Sequence, residues 1–290
     1  MPENPYHVRS TSMPPRLHPL ALRVEDQLNK LRTCDGACAS SNHPMVETLC
    51  GRLSGLQDLY DCVDDLIQSP LTQQALVHHR CGKWVDEMLD GSLRVLDVCG
   101  IARDALMQMK ESVMVIQSVL RRRRGAREEE LANKVGVYIS LRKKLKKVME
   151  KCLKSLKRTE NKFALSPFMG DDHLGEIIIV LREVRSISIF IFESLLSFMV
   201  MSGSAMKVDR RSQRVVCEEE GKKMSDFERV DASLHTLSSC KGTTNLVSMK
   251  NTQKGLETLY MNIQDVENKL DCAFRCLIKI RVSLLNILNC

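Results

Sequence analysis

Apolar residues recur at intervals of three and four along most of the chain. Met45, Leu49, Leu53, Leu56, Leu59, Val63 and Leu66 form one seam, which stops at Ser69 and Pro70. Val95, Val98, Ala102, Leu106, Met109, Val113, Ile116 and Leu120 form a second. A third carries Leu131, Val135, Tyr138, Leu141, Leu145, Val148, Cys152 and Leu156. At 3.6 residues per turn such spacing returns to one side of a helix, so each seam predicts an amphipathic helix with one face to bury.

The same reading places a short helix over Leu20–Leu31 and a loop over "TCDGACASSNHP", with Asn42 as a cap and Pro44 in the next first turn. The helical region from Leu71 to Arg123 carries a break near Arg80 to Gly82, and "RRRRG" makes Gly125 a hinge before the third seam. After "LSPFMGDDH" an apolar helix runs from Leu174 to Met201 and is expected to be fully buried. Residues 202–224 lack periodicity and read as a long exposed loop. A short helix follows over Phe227–Leu237. The last helix, Lys254–Leu288, is given the seam Leu256, Leu259, Ile263, Val266, Leu270, Phe274, Leu277, Ile278, Val282, Leu285 and Leu288.

No stretch alternates as a strand does, and no fixed repeat appears. The fold expected is all-α: residues 20–290 as a single bundle of long amphipathic helices with coiled-coil-like seams, after a disordered tail over 1–19. Composition agrees, since 43% hydrophobic residues with 4% aromatics, 14 Gly and 8 Pro suit helices better than a turn-rich sandwich.

"EIIIVLREVRSISIFIFESLLSFMVM", residues 176–201, is the most membrane-like segment. Arg182, Glu183, Arg185 and Glu193 divide it into pieces too short for a bilayer core of about 30 Å. No secretory h-region follows Met1, and Pro14, Pro15 and Pro19 would break the helix of a transit peptide. A soluble, unsecreted protein is expected, in the cytoplasm, with the nucleus or a peripheral membrane site as alternatives. Twelve cysteines scattered along helical seams read as reduced thiols rather than a disulfide framework.

Charge changes the picture. Arg121 to Arg158 holds fifteen Lys and Arg against four Glu, a net +11, while the whole chain carries +7, so the remainder is near −4. Arg121, Arg122, Arg123 and Arg124 open this strip. Lys143, Lys144, Lys146, Lys147, Lys151, Lys154 and Lys157 fall between its seam positions. Such a helix attracts anionic lipid headgroups or a calmodulin-like acidic partner, and otherwise forms a solvated bundle face. Nucleic acid is disfavoured, because Tyr138 is the strip's one aromatic and it lies on the seam. "RRRR" also matches a nuclear-localisation pattern.

Other chemistry is sparse. Cys34, Cys38, His43 and Cys50 miss the usual zinc spacing. Cys272 and Cys276 lie one turn apart on the last helix, with no second ligand pair nearby. Ser204 and Lys207 form an S-x-x-K without its companion motifs. Asp64–Asp65 and Asp171–Asp172 are candidate paired carboxylates but read better as helix-end acids, and His78 and His79 point about 100° apart on a helix, so they form no ligand pair. No phosphate-cradling glycine loop or H-E-x-x-H occurs. The chain is therefore expected to be non-enzymatic, without metal or cofactor.

Three stretches carry a resemblance: "YHVRSTSMPPRLHP" at 6–19, "KWVDEMLDGSLRVLDVCGIARDALMQMKESV" at 83–113 and "RVSLLNIL" at 281–288. Together they resemble the plant-specific, BYPASS-like family of a domain of unknown function. The resemblance implies a helical protein linked with root and shoot development. It carries over no catalytic residues.

The first stretch also holds Arg9-Ser10-Thr11-Ser12-Met13-Pro14, which fits R-S-x-S-x-P, the arrangement that 14-3-3 proteins recognise once the second serine is phosphorylated. A phosphate on Ser12 would add about −1.5 to −2 charge, and Pro14 would turn the chain away. The alternative is an unmodified tail.

Overall fold

Ser69 and Pro70 show how the seams become separate helices. The Ser69 hydroxyl accepts from the Thr72 amide at 3.3 Å, and Pro70, which has no amide to satisfy, opens the next helix. Nine residues after Pro70 that helix ends at its cap, His79, whose carbonyl accepts from the Gly82 amide at 3.0 Å. A Cβ on Gly82 would stand 2.5 Å from the Trp84 ring, so the turn requires glycine.

The computed structural model describes residues 19–38, 45–80, 82–122, 127–163, 173–200, 225–239 and 246–289. Among them are eight helices: α1 Pro19–Cys38, α2 Met45–Gln68, α3 Pro70–His78, α4 Lys83–Arg121, α5 Arg127–Phe163, α6 His173–Val200, α7 Asp226–Ser239 and α8 Leu246–Asn289. No strand occurs among the described residues, and the all-α expectation stands. Residues 1–18 and 201–224 lie outside the described residues, and with them most of the expected tail and the expected loop. Asn42, Pro44 and Gly125 lie outside as well. Pro19, assigned to the tail, opens α1.

The long helix α8 is the spine. Gln68 and Asp64 of α2 meet Ser283, and Asp61 meets Cys276, so α2 runs parallel to α8. Arg281 donates to Leu89 and Ser92, Arg103 pairs with Asp271 at 2.7 Å, and Lys110 pairs with Glu267, so α4 runs antiparallel to it. Opposite these, α6 crosses α2 through Tyr60, whose hydroxyl donates to Ser188 at 2.9 Å, and meets α4 through Arg182 and Glu87 at 3.2 Å. Helix α1 lies on α2, where Leu31 packs so closely on Gly55 that a Cβ there would stand 2.7 Å from it. One hydrophobic cluster runs through all eight helices, from Val24 and Leu28 through Leu76, Tyr138 and Phe192 to Phe227 and Ile263.

Two boundaries and one expectation of burial differ from the pattern reading. Helix α1 continues to Cys38, seven residues past Leu31. Each added residue closes a backbone bond, and one Gly costs only about 1 kcal/mol. Helix α8 starts at Leu246 rather than Lys254, because Thr252 is buried and nothing from 246 to 254 breaks a helix. Helix α6 is not fully buried. Ile179 and Phe190 stand 50% and 41% exposed on a narrow stripe, and Arg52 covers the Phe190 ring at 5.4 Å. No helix among the described residues is long and apolar enough to cross a membrane.

The seam of α8 is the sharpest correction. The seam runs through Thr252, Leu256, Leu259, Ile263, Val266, Leu270, Ala273, Leu277, Ile280, Leu284 and Ile287, an unbroken alternation of fours and threes, with Glu267 and Ser283 buried beside it. The pattern reading follows the large apolar Phe274, Ile278 and Val282 instead. Ile278 and Val282 are 40% and 49% exposed, and the true seam passes through the small Ala273. Ala273→Leu is expected to overpack the seam at a cost of about 1–3 kcal/mol. Ile278→Ser should stay within about 0.5 kcal/mol. Chemical denaturation of the two variants measures this; equal losses would show that the seam follows the larger residues.

Candidate functional site

Helix α5 separates two kinds of cation. Its buried side is Val135, Tyr138, Arg142, Leu145, Met149, Cys152 and Leu156, again in threes and fours. Lys143, Lys144, Lys147, Lys151, Lys154 and Lys157 are exposed, and Lys146 is half-buried. Lys144, Lys147, Lys151, Lys154 and Arg158 follow one another at three- and four-residue steps, so they form one row along the helix. No hydrogen bond or ion pair among the described residues engages these five side chains. Val137, 63% exposed, is the one large apolar side chain open to solvent among the described residues of α5.

Arg142 belongs to the basic strip by sequence but to the core by position, at 7% exposure. Its guanidinium donates through Nη1 to the Met199 carbonyl at 2.8 Å, in the last turn of α6, and through Nε and Nη2 to Asp231 of α7, both at 3.3 Å. It also lies over the Phe227 ring, 4.4 Å from its centroid, and Phe227 meets Phe198 edge to face at 5.3 Å. The carbonyls of a helix's last turn lack partners within the helix and carry partial negative charge, so a guanidinium is well matched there. The Tyr138 hydroxyl donates to the other Asp231 oxygen at 2.7 Å. Burial, and then Asp231, hold the Tyr138 phenol well above its usual pKa, so it remains a donor.

This knot holds α7 against α5 and α6 beneath the lysine row. Ser225 and Glu228 begin α7 with a reciprocal cap: the Glu228 amide donates to the Ser225 hydroxyl at 3.2 Å, and the Ser225 amide donates to Glu228 at 2.9 Å. The sequence signal for that cap, "SDFE", was there to be read. The signal for Arg142 was subtler. The spacing from Tyr138 to Leu145 passes through Arg142 as well as through the apolar Leu141, and the packing chooses Arg142.

Of the arginines opening the strip, Arg121 pairs with Glu257 at 3.6 Å and Arg122 bonds to Ser118 at the end of α4. Arg123 and Arg124 lie outside the described residues, as do Arg9, Ser10, Ser12 and Pro14. Asp64 and Asp65 diverge: Asp64 is buried and meets Ser283 at 3.1 Å and Lys279 at 2.9 Å, while Asp65 pairs with Arg23 at 3.2 Å. They make no paired-carboxylate site. His78 and His79 are exposed and stack edge to face at 4.8 Å. His43, Asp171, Asp172, Ser204 and Lys207, and the side chains of Cys34 and Cys38, are outside the described set. No group of metal-ligating side chains converges among the described residues.

Cys62, Cys99 and Cys152 are buried, whereas Cys50, Cys272 and Cys276 are half-buried. Burial and then Asp271 push the Cys99 thiol up to about 12. Burial and then Asp61, which accepts from the thiol at 3.6 Å, push Cys276 up to about 11. These sulfurs are thiols rather than thiolates at neutral pH and are correspondingly poor nucleophiles. A polar cleft of about 760 Å³ lies between α2, α7 and α8, lined among others by Glu47, Cys50, Asp226, Arg229, Asn262 and Lys269. Asp226 is already engaged there, accepting from Asn262 at 2.6 Å and from Arg229. Burial and then Asp265 raise Cys50 as well.

Arg142→Met would leave Asp231, whose side chain is 26% exposed, facing no cation. One-sided removal of a buried pair costs about 3–5 kcal/mol, and the partial exposure of Asp231 puts this case near the lower end. Urea denaturation gives the total, and hydrogen exchange should show α7 amides accelerating ahead of those in α2 and α8. Unchanged exchange in α7 would show that the guanidinium does not hold it.

Residues 52–287 match the family model described as Protein BPS1, which bears out the BYPASS-like resemblance. No curated protein and no solved structure matches the chain.

Proposed function

The chain belongs to the BPS1 protein family, and on that premise we propose that it is a non-enzymatic helical interaction protein that docks an anionic protein partner on the lysine face of α5. The observation that carries this reading is the single row Lys144, Lys147, Lys151, Lys154 and Arg158, exposed and without counter-ions among the described residues. A row at three- and four-residue steps matches the ridge of an acidic helix. The knot at Arg142 supports the reading, because a helix tied to α6 and α7 presents its charges without first being ordered. The developmental setting in root and shoot follows from the family resemblance.

A bilayer is the rival occupant, since basic residues near an anionic surface contribute about 1 kcal/mol each. Flotation with phosphatidylserine vesicles separates the two. The chain is expected to stay unbound by vesicles at physiological salt, and to bind an acidic helical peptide in a salt-sensitive way that Lys144→Glu/Lys147→Glu/Lys151→Glu/Lys154→Glu abolishes. Salt-sensitive flotation lost in the same variant would replace the protein partner with a membrane.

The tail supplies a second, regulated contact in this reading. Arg9, Ser10, Ser12 and Pro14 form the R-S-x-S-x-P arrangement, and phosphate on Ser12 would make it a ligand for the arginine cluster of a 14-3-3 protein. A synthetic peptide of residues 6–19 should bind a 14-3-3 protein only when Ser12 is phosphorylated. Equal binding of both forms, or none, ends the idea.

A further inference from the structure

The row on α5 has a counterpart on the helix beside it. Asp90, Asp97, Asp104 and Glu111 recur every seven residues on α4, all exposed, and among the described residues none makes a hydrogen bond or ion pair. Three residues after Asp90, Asp104 and Glu111 stand Leu93, Met107 and Met114, which are 44%, 44% and 50% exposed. Acids and large apolar residues thus share one solvent-facing stripe, at the three- and four-residue steps that pack one helix against another. Lys110 and Arg103 of the same helix are occupied elsewhere, by Glu267 and Asp271 of α8.

The two rows also agree in height. Helices α4 and α5 are consecutive antiparallel neighbours joined between Arg121 and Arg127. Counted back from Arg121, Asp104, Asp97 and Asp90 stand seventeen, twenty-four and thirty-one residues away. Counted forward from Arg127, Lys144, Lys151 and Arg158 stand at those same three removes. At 1.5 Å of rise per residue the acidic and basic levels coincide if the two helix ends stand level. Contacts through α6 agree: Arg182 meets Glu87, and seventeen residues further along α6 the Met199 carbonyl meets Arg142, close to the level of Asp104. Val137, at the level of Glu111, adds an exposed apolar group to set against the methionines.

We infer that the partner of the α5 row is the α4 stripe of a second copy of this chain. A two-fold axis running along the helices sets α4 of each copy antiparallel to α5 of the other and preserves height. Asp90, Asp97 and Asp104 of one copy then face Arg158, Lys151 and Lys144 of its mate, and the pairing occurs twice. Leu93, Met107 and Met114 exclude water between the charges. The inference deepens the reading of α5 as a protein-docking surface and rests on it.

Charge reversal on full-length protein tests the pairing, with sedimentation velocity as the readout. The wild type is expected to dimerise at low ionic strength and to dissociate as salt rises, because screening weakens exposed pairs. Reversing α5 (Lys144→Glu/Lys147→Glu/Lys151→Glu/Lys154→Glu) should give a monomer, and so should reversing α4 (Asp90→Lys/Asp97→Lys/Asp104→Lys/Glu111→Lys). Mixed together, the two variants should form a heterodimer, since each then offers what the other lacks. Circular dichroism checks that both remain helical. The milder Asp97→Asn/Asp104→Asn should weaken wild-type association at least tenfold, even where full reversal disturbs folding.

A wild type that stays monomeric at every salt overturns the inference. So does a dimer indifferent to the α4 reversal, or a mixture that fails to associate. A monomeric wild type that still binds an acidic peptide through α5 overturns only the self-pairing. Loss of peptide binding and dimer alike would remove the docking surface itself.

Discussion

One seam constrains everything else in this bundle. Helix α8 has 44 residues, and every third or fourth from Thr252 to Ile287 is buried against α2, α4 or α7. A seam of that regularity stays on one side of a helix only with a period close to 3.5, so the neighbours must lie along it rather than across it. Each of them is held in register by polar contacts beside the seam. Asp64 and Gln68 meet Ser283 from α2, while Arg103 and Lys110 meet Asp271 and Glu267 from α4. Such buried pairs add little net stability, and their value here is in choosing one alignment among helices that could slide.

Helix α5 shows how one stretch of basic sequence divides into two physical roles. Arg142 can be buried because its fork meets a carboxylate, a helix-end carbonyl and an aromatic face together. A lysine offers a single point charge and could not satisfy that set. The lysines of the exposed row, Lys144, Lys147, Lys151 and Lys154, instead stand outward with their heads in water. The arginine fixes the helix, and the lysines give it a surface.

Much of the fold was legible in the residues. The long α4 and α5 seams, the break between α3 and α4, and the Ser69–Pro70 boundary follow from spacing and local backbone chemistry, which act over a few residues and need no partner. The errors share a cause. Ala273 was passed over for Phe274 and Ile278, and Arg142 for Leu141, because hydrophobicity ranks side chains without knowing what faces them. A narrow gap between helices wants alanine, and a site already holding Asp231 and a free carbonyl wants arginine.

The residues by themselves determine a helical chain, the places of its main helices and the concentration of charge between Arg121 and Arg158, since these depend on composition and period alone. Tertiary structure decides which member of each turn is buried, which cation becomes structural and which stay outside. It also sets the acids of α4 level with the bases of α5. Those outcomes depend on residues far apart in the chain arriving at one place, and a period read along a single helix carries no information about what lies across from it.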